Sequence, residues 1–138
     1  MAVFPSSEWL TEYVDRINAS AKFAEAAQTF EADISYVFEA EPDKGVPRDI
    51  WCRAAFSGGS CQWAEYDVDP VQAKEAMFVI RAEYSRWRDI IEGRIDPIEG
   101  MLDGDLVVTG HLPTLLRHVR AADELVRLAA QVSTSFAA

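Results

Sequence analysis

Positive charge is scarce in this sequence: 13 Lys and Arg stand against 23 Asp and Glu, a formal net charge of −10 over 138 residues. Nucleic acids and anionic membrane surfaces are held through clustered Lys and Arg, so electrostatic docking on either is not expected. No apolar run approaches the length that crosses a bilayer, and the N-terminus lacks a signal peptide's basic start and apolar centre. The chain is therefore expected in the cytoplasm, with no integral membrane segment. Cysteine is nearly absent, and Cys52 and Cys61 read as free thiols in that compartment. Neither has a neighbouring His or a helix N-terminus to activate it.

Histidine is equally sparse. His111 and His118 stand without an HxxxH or CxxC spacing near them, so no metal and no other cofactor is expected. Ser57-Gly58-Gly59-Ser60 has no lysine and no following helix, which sets aside a phosphate loop. The acidic pairs Glu39/Glu41, Asp67/Asp69 and Asp103/Asp105 each sit in or beside a turn and read as solvated residues. No nucleophile, base or metal cluster stands out.

What is plentiful is apolar surface. A hydrophobic fraction of 49% supplies a real core, and the length fits one domain spanning 1–138. Ser6 or Ser7 can cap a first helix whose apolar face is Trp9, Leu10, Tyr13, Val14 and Ile17, and Ser20 restarts it toward Phe23, Ala27 and Phe30. Ile34, Tyr36 and Phe38 then alternate with Ser35, Val37 and Glu39, the pattern of a half-buried strand. After a polar loop over 41–47, two strands flank the Gly58-Gly59 hairpin turn. Counting outward pairs Phe56 with Cys61, Ala54 with Trp63 and Cys52 with Glu65. That register sets the thiols about 13 Å apart, too far for a disulfide.

Residues 71–81 fit a helix in part, but Met77-Phe78-Val79-Ile80 is bulky and β-branched and reads as a fourth strand. The stretch 87–118 carries the densest structural instructions. Tyr84, Trp87 and Ile91 share a helical face closed by Gly93, and Asp96-Pro97 with Glu99 opens another helix. Asp103-Gly104 is a turn, and Leu106-Val107-Val108 is a fifth strand ended by Gly110. From Pro113 a long helix carries Leu115, Val119, Ala122, Val126 and Ala129 inward, with Asp123 and Arg127 as an i, i+4 pair outside. Helices grouped around a mostly antiparallel five-stranded sheet make an α+β fold. The four tryptophans, Trp9, Trp51, Trp63 and Trp87, suit a solid core and a ligand cavity equally well.

The pattern Trp87…Ile91-x-Gly93…Asp96-Pro97…Met101…Gly104-Asp-Leu-x-Val-x-Gly110, followed by an amphipathic helix with Leu115-Leu116, resembles the sterol carrier protein family of lipid-transfer domains. It covers about residues 77–128 and departs at His111, where the family often has Asp or Asn. The resemblance implies a five-stranded sheet covered by helices, an apolar tunnel for fatty acyl chains, sterols or similar lipids, and binding without catalysis. The expected wall is Phe38, Phe56, Trp63, Phe78, Ile80, Trp87, Met101, Leu102, Leu115 and Val119, with His111 or Tyr84 at its mouth. Two other readings compete. One is a dimerising or accessory module with a filled core, in which a homodimer is the partner. The other is a small isomerase or dehydratase with a buried Asp or His.

Overall fold

In the computed structural model, which describes residues 1–137, the chain starts with a short strand, β1 (Ala2–Phe4). Ser6 Oγ then accepts the Trp9 amide at 3.1 Å and starts α1 (Ser7–Ala19). Ser20 ends that helix, and its Oγ accepts the Phe23 amide at 3.1 Å to start α2 (Ala21–Ala26). Both caps fall where hydroxyl side chains can satisfy orphan amides of a first turn.

Three strands follow: β2 (Ala32–Glu39), β3 (Ile50–Ser57) and β4 (Ser60–Glu65). A turn of helix, α3 (Pro70–Ala73), crosses the sheet and leads to β5 (Phe78–Glu83). Next come α4 (Tyr84–Ile91), α5 (Pro97–Asp103), β6 (Val107–Thr109), α6 (Leu112–Leu116), α7 (Val119–Gln131) and β7 (Thr134–Phe136). The main sheet has the order β4-β3-β2-β5-β6. Its pairings are antiparallel except β2 with β5, which the α3 crossover makes parallel. The α+β architecture and the mostly antiparallel five-stranded sheet are as the sequence implies. β1 and β7 form a separate parallel pair that the sequence does not announce, because three-residue strands carry no periodicity.

The hairpin turns where expected, but its register does not continue as counted. Ser57 faces Ser60 and Phe56 faces Cys61, and then an irregularity leaves Trp63 opposite Ala55, Ala64 opposite Ala54 and Glu65 opposite Arg53. One extra residue on β4 moves every later side chain to the other face. Trp63 therefore points outward, with the Arg53 guanidinium 5.9 Å from its ring centre. Asn18 secures the same edge strand: its side chain exchanges two hydrogen bonds with the Cys61 backbone, at 2.8 and 3.0 Å.

The anticipated continuous helix from Pro113 is two helices. His118 leaves helical geometry (φ −109°, ψ 38°), and its amide bonds the Leu115 carbonyl in a tighter turn. Arg127 accordingly pairs with Glu124 at 3.0 Å rather than with Asp123. Asp103 and Asp105 are exposed, as expected, but the other two acidic pairs are occupied in local structure. Glu41 Oε1 accepts the Ser85 amide at the start of α4 (2.7 Å), Asp69 caps α3 (2.9 Å) and Asp67 takes a two-pronged bond from Arg48.

Both faces of β2 are covered. The outer face packs Val37 with Trp51, Val79 and Ala73, and Ser35, fully buried there, donates to the Ala73 carbonyl at 2.6 Å. The inner face carries the large core beneath α1, α4 and α7.

Gly58 and Gly59 both take positive φ, +59° and +80°, but only Gly59 lies against α2, where an added Cβ would sit 2.6 Å from the Ala24 carbonyl oxygen. Gly59→Ala is expected to destabilise by about 2–3 kcal/mol, as strain and clash add. Gly58→Ala meets open space and is expected to lose about 1 kcal/mol from its left-handed backbone alone. Urea unfolding of the two variants measures the difference.

Candidate functional site

A void of about 140 Å³ lies between the inner face of the sheet and the helices. Its walls follow from periodicity. β2 contributes Ile34, Tyr36 and Phe38, β3 contributes Cys52, Ala54 and Phe56, and β5 contributes Ile80, alternate residues that all point one way. α1 lays its stripe of Trp9, Leu10, Tyr13, Val14 and Ile17 across them. α7 closes the top with Ala122, Leu125, Val126 and Ala129, and Trp87, Ile90, Met101 and Leu115 complete the sides. The wall is apolar almost throughout.

Of the expected wall residues, Phe38, Phe56, Ile80, Trp87, Met101 and Leu115 line the void, whereas Trp63, Phe78, Leu102 and Val119 do not. Trp63 is 42% exposed on the outer face because of the register slip. Val119 is 39% exposed because the break at His118 resets the phase of the helix. Leu102, one position past Met101 on α5, is turned to solvent. Phe78 is buried at the start of β5, close beneath Gly110. The two mouth residues also move: His111 is exposed and bonds Thr114 Oγ1 at 2.8 Å, while Tyr84 is completely buried.

Polar groups do converge on the wall, which the sequence reading missed. The Tyr13 hydroxyl donates to the Leu125 carbonyl at 2.6 Å, tying α1 to α7. Cys61 Sγ lies 3.3 Å from the Trp63 carbonyl, and His118 packs its ring on Phe30 at 5.0 Å. Tyr36 meets Trp87 edge-on at 5.9 Å, and Trp87 Nε1 donates to the Val37 carbonyl at 2.8 Å. Burial lifts the Tyr13 and Tyr36 phenols well above their ordinary range, with lesser contributions from nearby tyrosine and cysteine side chains. The available signal was a polar-tipped aromatic inside each apolar stripe: Tyr13 between Trp9 and Ile17, and Tyr36 between Ile34 and Phe38.

A surface cleft between the α4–α5 connection and α7 abuts the void, sharing Ile90, Ile91, Pro97 and Val126 with it. One layer of side chains separates the two. Asp96, Asp123 and Arg127 edge this cleft, and burial, then Asp96 and Glu124, raise the Asp123 carboxyl above its usual range. Among the described residues no group of three His, Cys, Asp or Glu is placed to hold a metal, and no helix is long and apolar enough to cross a membrane.

A crystal structure of sterol carrier protein 2 matches this geometry over 93% of the chain and 98% of its own, with a TM-score of 0.83 and 28% identity. The fold is that of sterol carrier protein 2. A solution structure of a conserved hypothetical protein from Thermus thermophilus shares this sterol-carrier fold equally, at TM-score 0.83 and 27% identity over 94% of this chain and 90% of that one. The fold also occurs within a larger chain. A stereoselective inverting sec-alkylsulfatase from Pseudomonas sp. matches 78% of this chain with 14% of its own, at 13% identity and TM-score 0.51. No protein-family model and no curated protein matches the sequence. Nothing in these likenesses supports a homodimer.

Both thiols are walled in, and burial pushes Cys61 up to about 11 and Cys52 up to about 12. The folded chain therefore keeps these protons to higher pH than the unfolded chain does. Their contribution to stability is complete below the ordinary thiol range and lost as pH rises through about 11 and 12. Neither thiol is expected to react with a disulfide reagent at pH 8 until the protein is unfolded. Unfolding midpoints are expected to fall above pH 9, less steeply in Cys61→Ala.

Proposed function

We propose that this chain, residues 1–138 acting as one sterol-carrier-like domain in the cytoplasm, binds a hydrophobic small molecule or lipid in its cavity and carries it without chemical change. The observation that supports this most is the wall itself: apolar side chains from both layers surround a space that neither layer fills. Affinity there comes from area, at roughly 25 cal/mol per Å² of apolar surface removed from water. The neighbours named as sterol carrier protein 2 point the same way.

The size of the void narrows the ligand. An apolar cavity of about 150 Å³ holds a molecule the size of benzene. The 140 Å³ here accepts a single ring or a short run of methylenes as it stands. A flexible acyl-type chain can thread such a space, and any larger guest, aromatic probes included, needs the helical wall to give. The cleft beside Asp123 is the natural way in, because only Ile90, Ile91, Pro97 and Val126 stand between it and the void.

The wall chemistry favours holding over reacting. Thiols pushed up by burial stay protonated and are poor nucleophiles. No carboxylate is among the buried residues of the described chain, and the buried polar position, Ser35, faces the other side of the sheet.

Ala122→Trp puts a large side chain into the void from α7. It is expected to weaken binding of the neutral probe N-phenyl-1-naphthylamine at least about tenfold, since the displaced area carries the affinity. The fold, checked by circular dichroism, should be kept. Native mass spectrometry of the wild type from a lipid-rich lysate should show a retained lipid. Unchanged probe binding in Ala122→Trp, or a wild type that retains no lipid and takes up no probe, would sink the reading.

A further inference from the structure

The phenol of Tyr36 stands on the inner face of the central strand, between the buried Ile34 and Phe38. Strand pairing sets Cys52 on one side of it and Ile80 on the other. What accessible area Tyr36 keeps faces the void, since protein encloses the ring. Its ring contacts Trp87, but its hydroxyl has no hydrogen-bond partner among the described residues. A donor that faces an apolar void without a protein partner costs free energy that a phenylalanine at the same place would not. Across the void the Tyr13 hydroxyl has spent its proton on the Leu125 carbonyl and still has lone pairs to offer.

We propose that Tyr36 is the polar anchor of the cavity, donating a hydrogen bond to an uncharged oxygen of the bound lipid, such as an alcohol, a ketone or an ester carbonyl, in preference to a carboxylate. This rests on the carrier reading above. Charge decides the preference. The cationic side chain that contributes to the wall, Arg53, does so through its stem. Its guanidinium is held on the outer face by Asp33 and by the Gln72 carbonyl at 2.9 Å. His118, which also lines the void, has its ring packed on Phe30. An ionised head group beside Tyr36 would lose its hydration and gain no counter-charge there. The protein's net charge of −10 adds a general repulsion of anions. Both phenols stay protonated at neutral pH, because burial holds them above their ordinary range, so each remains a neutral group.

The test compares three ligands of one chain length on the full chain: decan-1-ol, methyl decanoate and decanoate. Each displaces N-phenyl-1-naphthylamine at pH 8, where decanoate is ionised. The wild type is expected to bind both neutral ligands about tenfold or more tighter than decanoate, the difference between a bonded neutral group and an uncompensated charge. Tyr36→Phe keeps the ring and removes the hydroxyl. It should weaken decan-1-ol and methyl decanoate about fivefold, one neutral hydrogen bond, and leave decanoate within about twofold.

The infrared band of carbonyl-labelled methyl decanoate supplies a second readout. It should move to lower frequency on binding the wild type and stay unshifted in Tyr36→Phe. If decanoate binds as well as the others, or the ratios and the carbonyl band are the same in Tyr36→Phe, a trapped water serves the hydroxyl and the anchor is disproved. If the wild type binds none of the three, the carrier reading fails and takes this inference with it.

Discussion

Small side chains facing one another across two layers create the space at the centre of this protein. Cys52 and Ala54 on β3 line the void from below, and Ala122 and Ala129 line it from above. A protein interior normally reaches crystal-like density by setting large residues against small ones. Here small residues contribute to both walls, and the rings of Trp9, Tyr36, Phe38, Phe56 and Trp87 line the same space. The void is thus built into the choice of residues, and the rings that frame it are themselves fixed by edge contacts and by the Trp87–Val37 hydrogen bond.

Keeping such a space open requires that the sheet beneath it be rigid. β2 lies between β3 and β5 and is packed on its far side as well, where Ser35 bonds α3 and Val37, Trp51 and Val79 make a second small core. Asp33 ties the same face to Arg53 and to the Met77 amide. A floor buried on both sides resists bending into the void above it. The helices are held to the sheet mainly by apolar contact, with the Asn18–Cys61 and Trp87–Val37 hydrogen bonds as polar ties.

Periodicity made much of this readable. The α1 stripe, the alternation of β2, the serine caps and the Asp96-Pro97 helix start sit where the sequence implies, and the five strands fall within a few residues of their expected bounds. Two of the failures share a cause: each extrapolated a regular repeat past a local interruption. One extra residue in β4 turned Trp63 outward, and a single non-helical residue, His118, put Val119 into solvent. β2 and β5 run parallel because a crossover joins them, which no local pattern records. Tyr13 and Tyr36 were visible as members of apolar faces, but their convergence depends on which helix crosses which strand. That is a property of the tertiary structure.

The pairing of β1 with β7 has a mechanical meaning. β1 leads directly into α1, and α7 leads directly into β7, so the two chain ends are knitted together where one helix begins and the other finishes. Trp9 Nε1 donates to Thr134 Oγ1 at 2.9 Å beside that seam, and the Tyr13–Leu125 bond fastens the pair farther along. Helices so riveted are coupled at both ends of their contact, so a displacement of either one is passed to the other.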